Sequence, residues 1–315
     1  MIQSPALPPG RYDEVMTMKH WKRLMTLFLL ALLLVGGPPV RAAGSSTELL
    51  LPEASGTAVK QTSKAVIDYS HAADGYVMVR FTASTSKKLK AMVTGPSLKY
   101  TYNLTAGQWA TLPFTQGNGT YKVGVYENVS GSKYAESAAA SIPVTLTDEF
   151  APFLRPNQYV DYAPAENTIA KARELAGSET DALKLVEKVY GYVVSNLSYD
   201  KQLANKVKGA TGYLPVLDSV LAAKKGICFD YAALTAGMLR TLGVPCKLVV
   251  GYAGEAYHAW INVWTKETGW VEKVIYFDGS TWVRMDPTFA SSSKRSQSIM
   301  KYIGDGSNYT PQKYY

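Results

Sequence analysis

Near residue 148 the repeat of apolar residues lengthens from two positions to between three and four, which commits the chain to strands first and helices after. Between about Ser46 and Leu146 the runs are short and rich in β-branched and aromatic residues: Val77-Met78-Val79-Arg80-Phe81, Leu89 to Val93, Tyr100 to Leu104, Tyr121 to Tyr126 and Ile142 to Leu146. Turn pairs punctuate them, Asp74-Gly75, Gly95-Pro96, Ala106-Gly107, Gly117-Asn118-Gly119 and Ser130-Gly131. The expectation is an all-β, immunoglobulin-like sandwich over residues 44–147. It holds no cysteine, which excludes a disulfide-bearing antibody-type core. Residues 148–166, opening with a polar pair and carrying Pro152 and Pro156, are the expected linker to a second domain. At 315 residues the chain is long enough for two domains.

In the second part, Ser178 with Asp181 reads as a capping box, and Leu183, Val186, Tyr190, Val193, Val194 and Leu197 recur on one helical face. A shorter helix, Val216 to Ala223, should stop at Lys224-Lys225-Gly226, and another runs from Cys228 until Gly243 and Pro245 end it. Lys247 to Tyr252, His258 to Trp264 and Trp282 to Asp286 read as strands, so this region, residues 167–290, is α+β with a helix on an antiparallel sheet. Residues 291–315 form a tail that opens as a serine-rich loop; its tyrosine-rich end either returns to the sheet edge or joins a cleft.

The first 43 residues read as a leader. Lys19-His20-Trp21-Lys22-Arg23 is basic, Leu24 to Val35 is almost wholly apolar, and Val40-Arg41-Ala42-Ala43 offers small residues for a signal peptidase. The apolar run is about 12 residues, short of a spanning helix, so no membrane span is expected once the leader is removed. A retained anchor is the alternative. The leader carries five basic and two acidic residues, so its removal lowers the formal charge from +8 to +5. That balance suits loose attraction to anionic cell-envelope polymers or ordinary solvated charge; with no dense basic run, nucleic acid is not an expected partner.

Three separated stretches carry the chemistry: Gly226-Ile227-Cys228-Phe229-Asp230-Tyr231, then Tyr257-His258-Ala259-Trp260, then Trp282-Val283-Arg284-Met285-Asp286-Pro287-Thr288. A cysteine opening a helix meets unpaired N–H groups and the positive end of the helix dipole, both of which favour the reactive thiolate. A histidine beside it supplies the base and, later, the acid for a leaving amine; an aspartate accepting its second ring N–H fixes the tautomer. Of the three histidines, His20 lies in the leader and His71 in the β region, which leaves His258. For the carboxylate, Asp286 is favoured over Asp278, in an Asp-Gly turn, and Asp230, inside the helix. The Cys228 N–H is a natural oxyanion donor, with the Tyr199 hydroxyl a further candidate. Tyr252, Tyr257, Trp260 and Trp282 either wall the cleft or fill the core. A disulfide is not expected, because the helix separates Cys228 from Cys246 by roughly 20 Å. No metal-ligand spacing or phosphate loop is present, so no metal or cofactor is expected.

Taken together, Gly-Ile-Cys-Phe-Asp-Tyr-Ala-Ala-Leu, Leu-Arg-Thr-Leu-Gly-Val-Pro-Cys, Val-Val-Gly-Tyr, His-Ala-Trp and Trp-Val-Arg-Met-Asp-Pro-Thr resemble the core of the transglutaminase-like superfamily, relatives of papain-type cysteine enzymes. The resemblance covers roughly Thr180 to Ala290. It implies a cysteine-protease-like α+β core in which Cys228 is the nucleophile, His258 the base and acid, and Asp286 the orienting carboxylate. Cys246 stands where the family more usually has a small non-thiol residue. The function so implied is an exported, cofactor-independent enzyme that forms a thioester with an amide carbonyl of a protein or peptide substrate. Hydrolysis of protein or wall-peptide amides is expected, with transfer to a lysine amine, and hence cross-linking, as the alternative acyl-transfer outcome. A binding or structural protein that keeps the fold without turnover is the competing class.

Overall fold

In the computed structural model, residues 48–210, 212–272, 276–277, 282–283 and 308–315 are described. The leader, Asp278, Asp286 and most of the tail lie outside the described residues. Strands β1 (Val59–Gln61), β2 (Ala65–Asp68), β3 (Tyr76–Phe81), β4 (Leu89–Thr94), β5 (Lys99–Leu104), β6 (Trp109–Pro113), β7 (Gly119–Ser130) and β8 (Lys133–Val144) build two antiparallel sheets. Their orders are β1-β2-β3-β6 and β5-β4-β7-β8. The alternation does its expected work in β4, where Leu89, Ala91 and Val93 are buried and Lys90, Met92 and Thr94 are not. Val77, Val79 and Phe81 of one sheet share a core with Ala91, Val93, Tyr121 and Val123 of the other. Pro143 cannot donate to a ladder, and it sits in β8, an edge strand.

Residues 148–166 are closely packed against the strands. A turn of 3-10 helix, Ala151–Phe153, is buried. A Cβ added to Gly75, whose φ is +85°, would lie 2.7 Å from Pro152, so only glycine lets this turn sit against the strands. Arg155 donates to the Asp74 carbonyl at 3.1 Å with its guanidinium over the Tyr76 ring. Gln158 accepts from Asn103 N at 3.3 Å and donates to Asn103 O at 2.7 Å, closing polar groups on the edge strand β5. The described residues all fall within one compact unit.

Next come α1 (Glu166–Ala176), α2 (Ala182–Asn196), β9 (Ser198–Tyr199), α3 (Lys201–Val207), α4 (Leu217–Ala223), β10 (Lys225–Gly226), α5 (Cys228–Thr241), β11 (Cys246–Ala253), β12 (Ala256–Thr265), β13 (Gly269–Val271), β14 (Tyr276–Phe277), β15 (Trp282–Val283) and β16 (Tyr309–Tyr314). Every residue of α5 from Asp230 to Thr241 is buried. A helix apolar nearly all round belongs inside a layered core, and α5 is enclosed by α1, α2 and α4 and by the sheet. That sheet, β13-β12-β11-β16, is antiparallel throughout. Helix and sheet content is therefore mixed here, while the region before residue 148 is strand-rich.

Several local expectations are corrected. The N-cap of α2 is Asp181, whose side chain accepts from Lys184 N at 3.0 Å, so no capping box starts at Ser178. Helix α4 closes on Lys224 in the left-handed region, φ 50°, rather than on a glycine. Helices α1 and α3 and strands β1, β2 and β6 have no counterpart in the sequence reading.

Candidate active site

Cys228 is the first residue of α5, preceded by Ile227 in extended conformation. This bend is built by two devices. Gly226 pairs with Tyr199 in the short parallel bridge of β10 with β9, and Asp200 N donates to Gly226 O at 2.8 Å. Asp230 then folds back, its Oδ2 accepting from Ile227 N at 2.8 Å. A Cβ on Gly226 would lie 2.6 Å from the Asp230 Cβ, so the absence of a side chain there makes room for the carboxyl.

His258 stands on β12 opposite Gly251 of β11 and is 7 % exposed. Its ring faces Trp260 and Tyr309, with centroids 6.4 Å away in each case. Gly251 is essential to that packing: a Cβ would come within 2.2 Å of Thr310 O and 2.8 Å of the Trp260 ring, at the irregular step where β16 joins β11.

Cys228, His258 and Tyr199 line one cleft of about 850 Å³, although they come from a helix start, a strand and a two-residue bridge. Tyr159, Tyr213, Phe229, Tyr257 and Tyr315 contribute the remaining aromatic wall, and Lys208 and Glu255 also line it. Burial, followed by the charges of Cys228 and Asp230, pushes the Tyr199 phenol up. Burial, then Tyr252 and Cys228, does the same to Tyr257. Both hydroxyls thus stay protonated at neutral pH and available as donors beside the sulfur.

The sequence candidates divide accordingly. Asp286 and Asp278 lie outside the described residues, as do the side chains of β14 and β15. Asp230 does not present a free carboxylate to the cleft: it is 0 % exposed and holds both Ile227 N and the Tyr213 hydroxyl, the latter at 2.7 Å. Trp260 is core, 1 % exposed, whereas Tyr257 is 66 % exposed at the cleft wall. His71 is engaged elsewhere, by Asp74 at 2.8 Å and Ser55 at 2.9 Å. Cys246 is fully buried, and burial pushes its thiol up to about 12. Both cysteines are free. Among the described residues, no group of three His, Cys, Asp or Glu is placed to hold a metal ion.

Tyr159, Tyr213 and Tyr315 were not singled out from sequence. Tyr315 arrives because β16 pairs with β11, the sheet-edge option for the tail, and it then also reaches the cleft, the second option. Its ring lies 4.2 Å from that of Tyr159 and 5.4 Å from Tyr100 of β5, so the strand-rich region supports the cleft floor.

The profile described as the transglutaminase-like superfamily matches residues 169–287. A protein-glutamine gamma-glutamyltransferase of Pseudomonas aeruginosa is 28 % identical over 115 residues, 32 % of this chain and 15 % of that protein. An uncharacterised Mycobacterium tuberculosis protein is 29 % identical over 163 residues, covering 47 % of this chain and 45 % of that one. The chain therefore spans less than half the length of these relatives. The crystal structure of the periplasmic domain of TgpA from Pseudomonas aeruginosa bound to ethylmercury aligns with a TM-score of 0.33 at 17 % identity, covering 75 % of this chain and 99 % of that one. The profile match spans the segment that carries Cys228, His258 and Asp286, so residues 169–287 form a transglutaminase-like domain, of a superfamily whose members are generally cysteine-based enzymes.

Proposed function

We propose that the chain is an exported cysteine enzyme that transfers the acyl group of a peptide or protein amide. The Cys228 sulfur attacks the amide carbonyl, a C–S bond forms, and the C–N bond breaks as the leaving nitrogen takes a proton from His258. Asp286 accepts the second ring N–H of His258 and holds the tautomer. Water, deprotonated by the same imidazole, then attacks the thioester; its oxygen bonds to carbon and the sulfur leaves. A lysine amine in place of water gives an isopeptide cross-link by the same two steps. The Cys228 N–H and the Tyr199 hydroxyl serve the oxyanion in both.

The observation that carries this reading is the single cleft onto which Cys228, His258 and Tyr199 all open. The basic-then-apolar leader supports export, and among the described residues no helix is long and apolar enough to cross a membrane. The two antiparallel sheets, with a shared core, support an immunoglobulin-like reading of the strand-rich region. Hydrolysis of protein or cell-wall peptide amides is the reaction favoured. Incubation with a mixture of glutamine-bearing peptides and amines, read by mass spectrometry against Cys228→Ala, tests it. Products that need Cys228 and incorporate water support hydrolysis, and amine adducts support transfer. Iodoacetamide labelling of Cys228 at about pH 6 that is as slow as that of Cys246 would instead favour a non-catalytic binding protein.

A further inference from the structure

Asp230 does more than a helix cap requires. A cap at this position needs one carboxylate oxygen on one backbone amide, and it normally keeps the other in water. Here the side chain is 0 % exposed, and the second oxygen accepts the hydroxyl of Tyr213, a residue of the cleft wall, at 2.7 Å. The first oxygen holds Ile227 N, the amide immediately before the nucleophile. Tyr213 also meets Phe229 edge-on, ring centroids 6.4 Å apart, so the wall residue touches the two residues that follow the nucleophile. One carboxyl thus links the depth of the turn to the position of the wall.

We propose that Tyr213 and Asp230 are a positioning pair that seats Cys228 in the cleft; this rests on Cys228 being the nucleophile. Neither touches the reacting atoms. The phenol O–H fixes the carboxyl rotamer that keeps Ile227 extended. Without it, the carboxyl is free to turn and the bend that seats Cys228 loosens.

Tyr213→Phe keeps the ring and removes only the hydroxyl. The measured quantities are second-order rate constants for alkylation of Cys228 in the full chain, with iodoacetamide as a small probe and a dipeptide chloromethyl ketone as one large enough to feel the wall. Tyr213→Phe should slow both reagents about tenfold, the size of one hydrogen bond to a charged group, at a temperature where the protein stays folded. Asp230→Asn should slow them at least as much, and the double variant no more than Asp230→Asn alone, because one hydrogen bond is lost in each. Should Asp230→Asn fail to fold, Tyr213→Phe decides alone. If Tyr213→Phe alkylates with iodoacetamide at the wild-type rate while wild-type Cys228 is fast, the pair is overturned and the enzyme reading stands, even if the larger reagent slows. If wild-type Cys228 reacts no faster than Cys246, both fall together.

Discussion

The two ends of α5 each have a cysteine and a charged side chain bonded to backbone, yet they are built for opposite purposes. At the first end, Cys228 is partly exposed, opens on a cleft of about 850 Å³, and is flanked by phenols that stay protonated. Past the other end, Cys246 is sealed at 0 % exposure, and its carbonyl is held by Arg240 through Nε at 2.9 Å and one terminal nitrogen at 2.7 Å. Arg240 also donates to Arg155 O at 2.7 Å and Tyr315 O at 2.6 Å. Its guanidinium gathers three chain segments, whereas Asp230 leaves a neighbouring sulfur open to the cleft. Sulfur chemistry is the same at both ends; access and the surrounding donors differ.

The strongest way to break this contrast is to exchange the losses. Cys228→Ala should lower amide turnover by at least about 10³-fold, as removal of a nucleophile does, and move stability by less than about 1 kcal/mol. Cys246→Ala should do the reverse, costing about 1–2 kcal/mol in urea unfolding while turnover stays within about twofold. Equal effects on turnover would mean that the sealed end communicates with the cleft.

Next in size is Arg240→Met, which keeps much of the volume but takes the guanidinium from the carbonyls of Cys246 and Arg155 and from that of Tyr315, which keeps only Leu248 N at 2.8 Å. A stability loss of about 3 kcal/mol by urea unfolding is expected, with the alkylation rate of Cys228 in the folded protein unchanged. A loss below about 1 kcal/mol would show that these carbonyls find other partners. At the open end, Tyr199→Phe should reduce kcat about 10²-fold with KM little altered, as loss of an oxyanion donor does. If instead KM rises alone, Tyr199 binds substrate and the amide of Cys228 serves the oxyanion by itself.

Legibility follows the range of the interactions. Helix α5 was readable because its stop signals, Gly243 and Pro245, are local, and β11 and β12 because Leu248 to Val250 and Ile261 to Val263 carry strand-type residues in sequence. Helix α1 was not. Its N-cap, Ala165, offers no side-chain bond, and its first amides are held instead by Asp218 of α4, which accepts from Asn167 N at 3.1 Å and Thr168 N at 2.8 Å. Such a cap, some fifty positions away, leaves no local signature. The same holds in the site: a helix-start cysteine and a strand histidine declare themselves, while Tyr213 matters only because the fold carries it to Asp230. Strand β1 leaves no signal for another reason, being an exposed edge with no buried face to impose alternation.

The smallest expected effect is the sharpest test of burial at the sealed end. Burial holds the Cys246 thiol at about 12, against 9.0 for a free cysteine, with Arg240 only partly drawing it back. Between these values the unfolded chain releases a proton that the folded one keeps, so stability falls as pH rises; the full contribution is present below about pH 9. At pH 10 the loss from this one group is on the order of 1 kcal/mol. Cys246→Ala lacks the group, so the wild-type advantage over it should shrink by about that amount between pH 8 and pH 10, while groups remote from Cys246 titrate alike in both proteins and cancel; Arg240, which interacts with this thiol, is part of what the comparison reads. Paired urea unfolding at the two pH values measures it. A difference that does not change with pH would mean the sealed sulfur ionises as easily folded as unfolded, and the contrast between the two ends of α5 would then rest on reach to the cleft and not on burial.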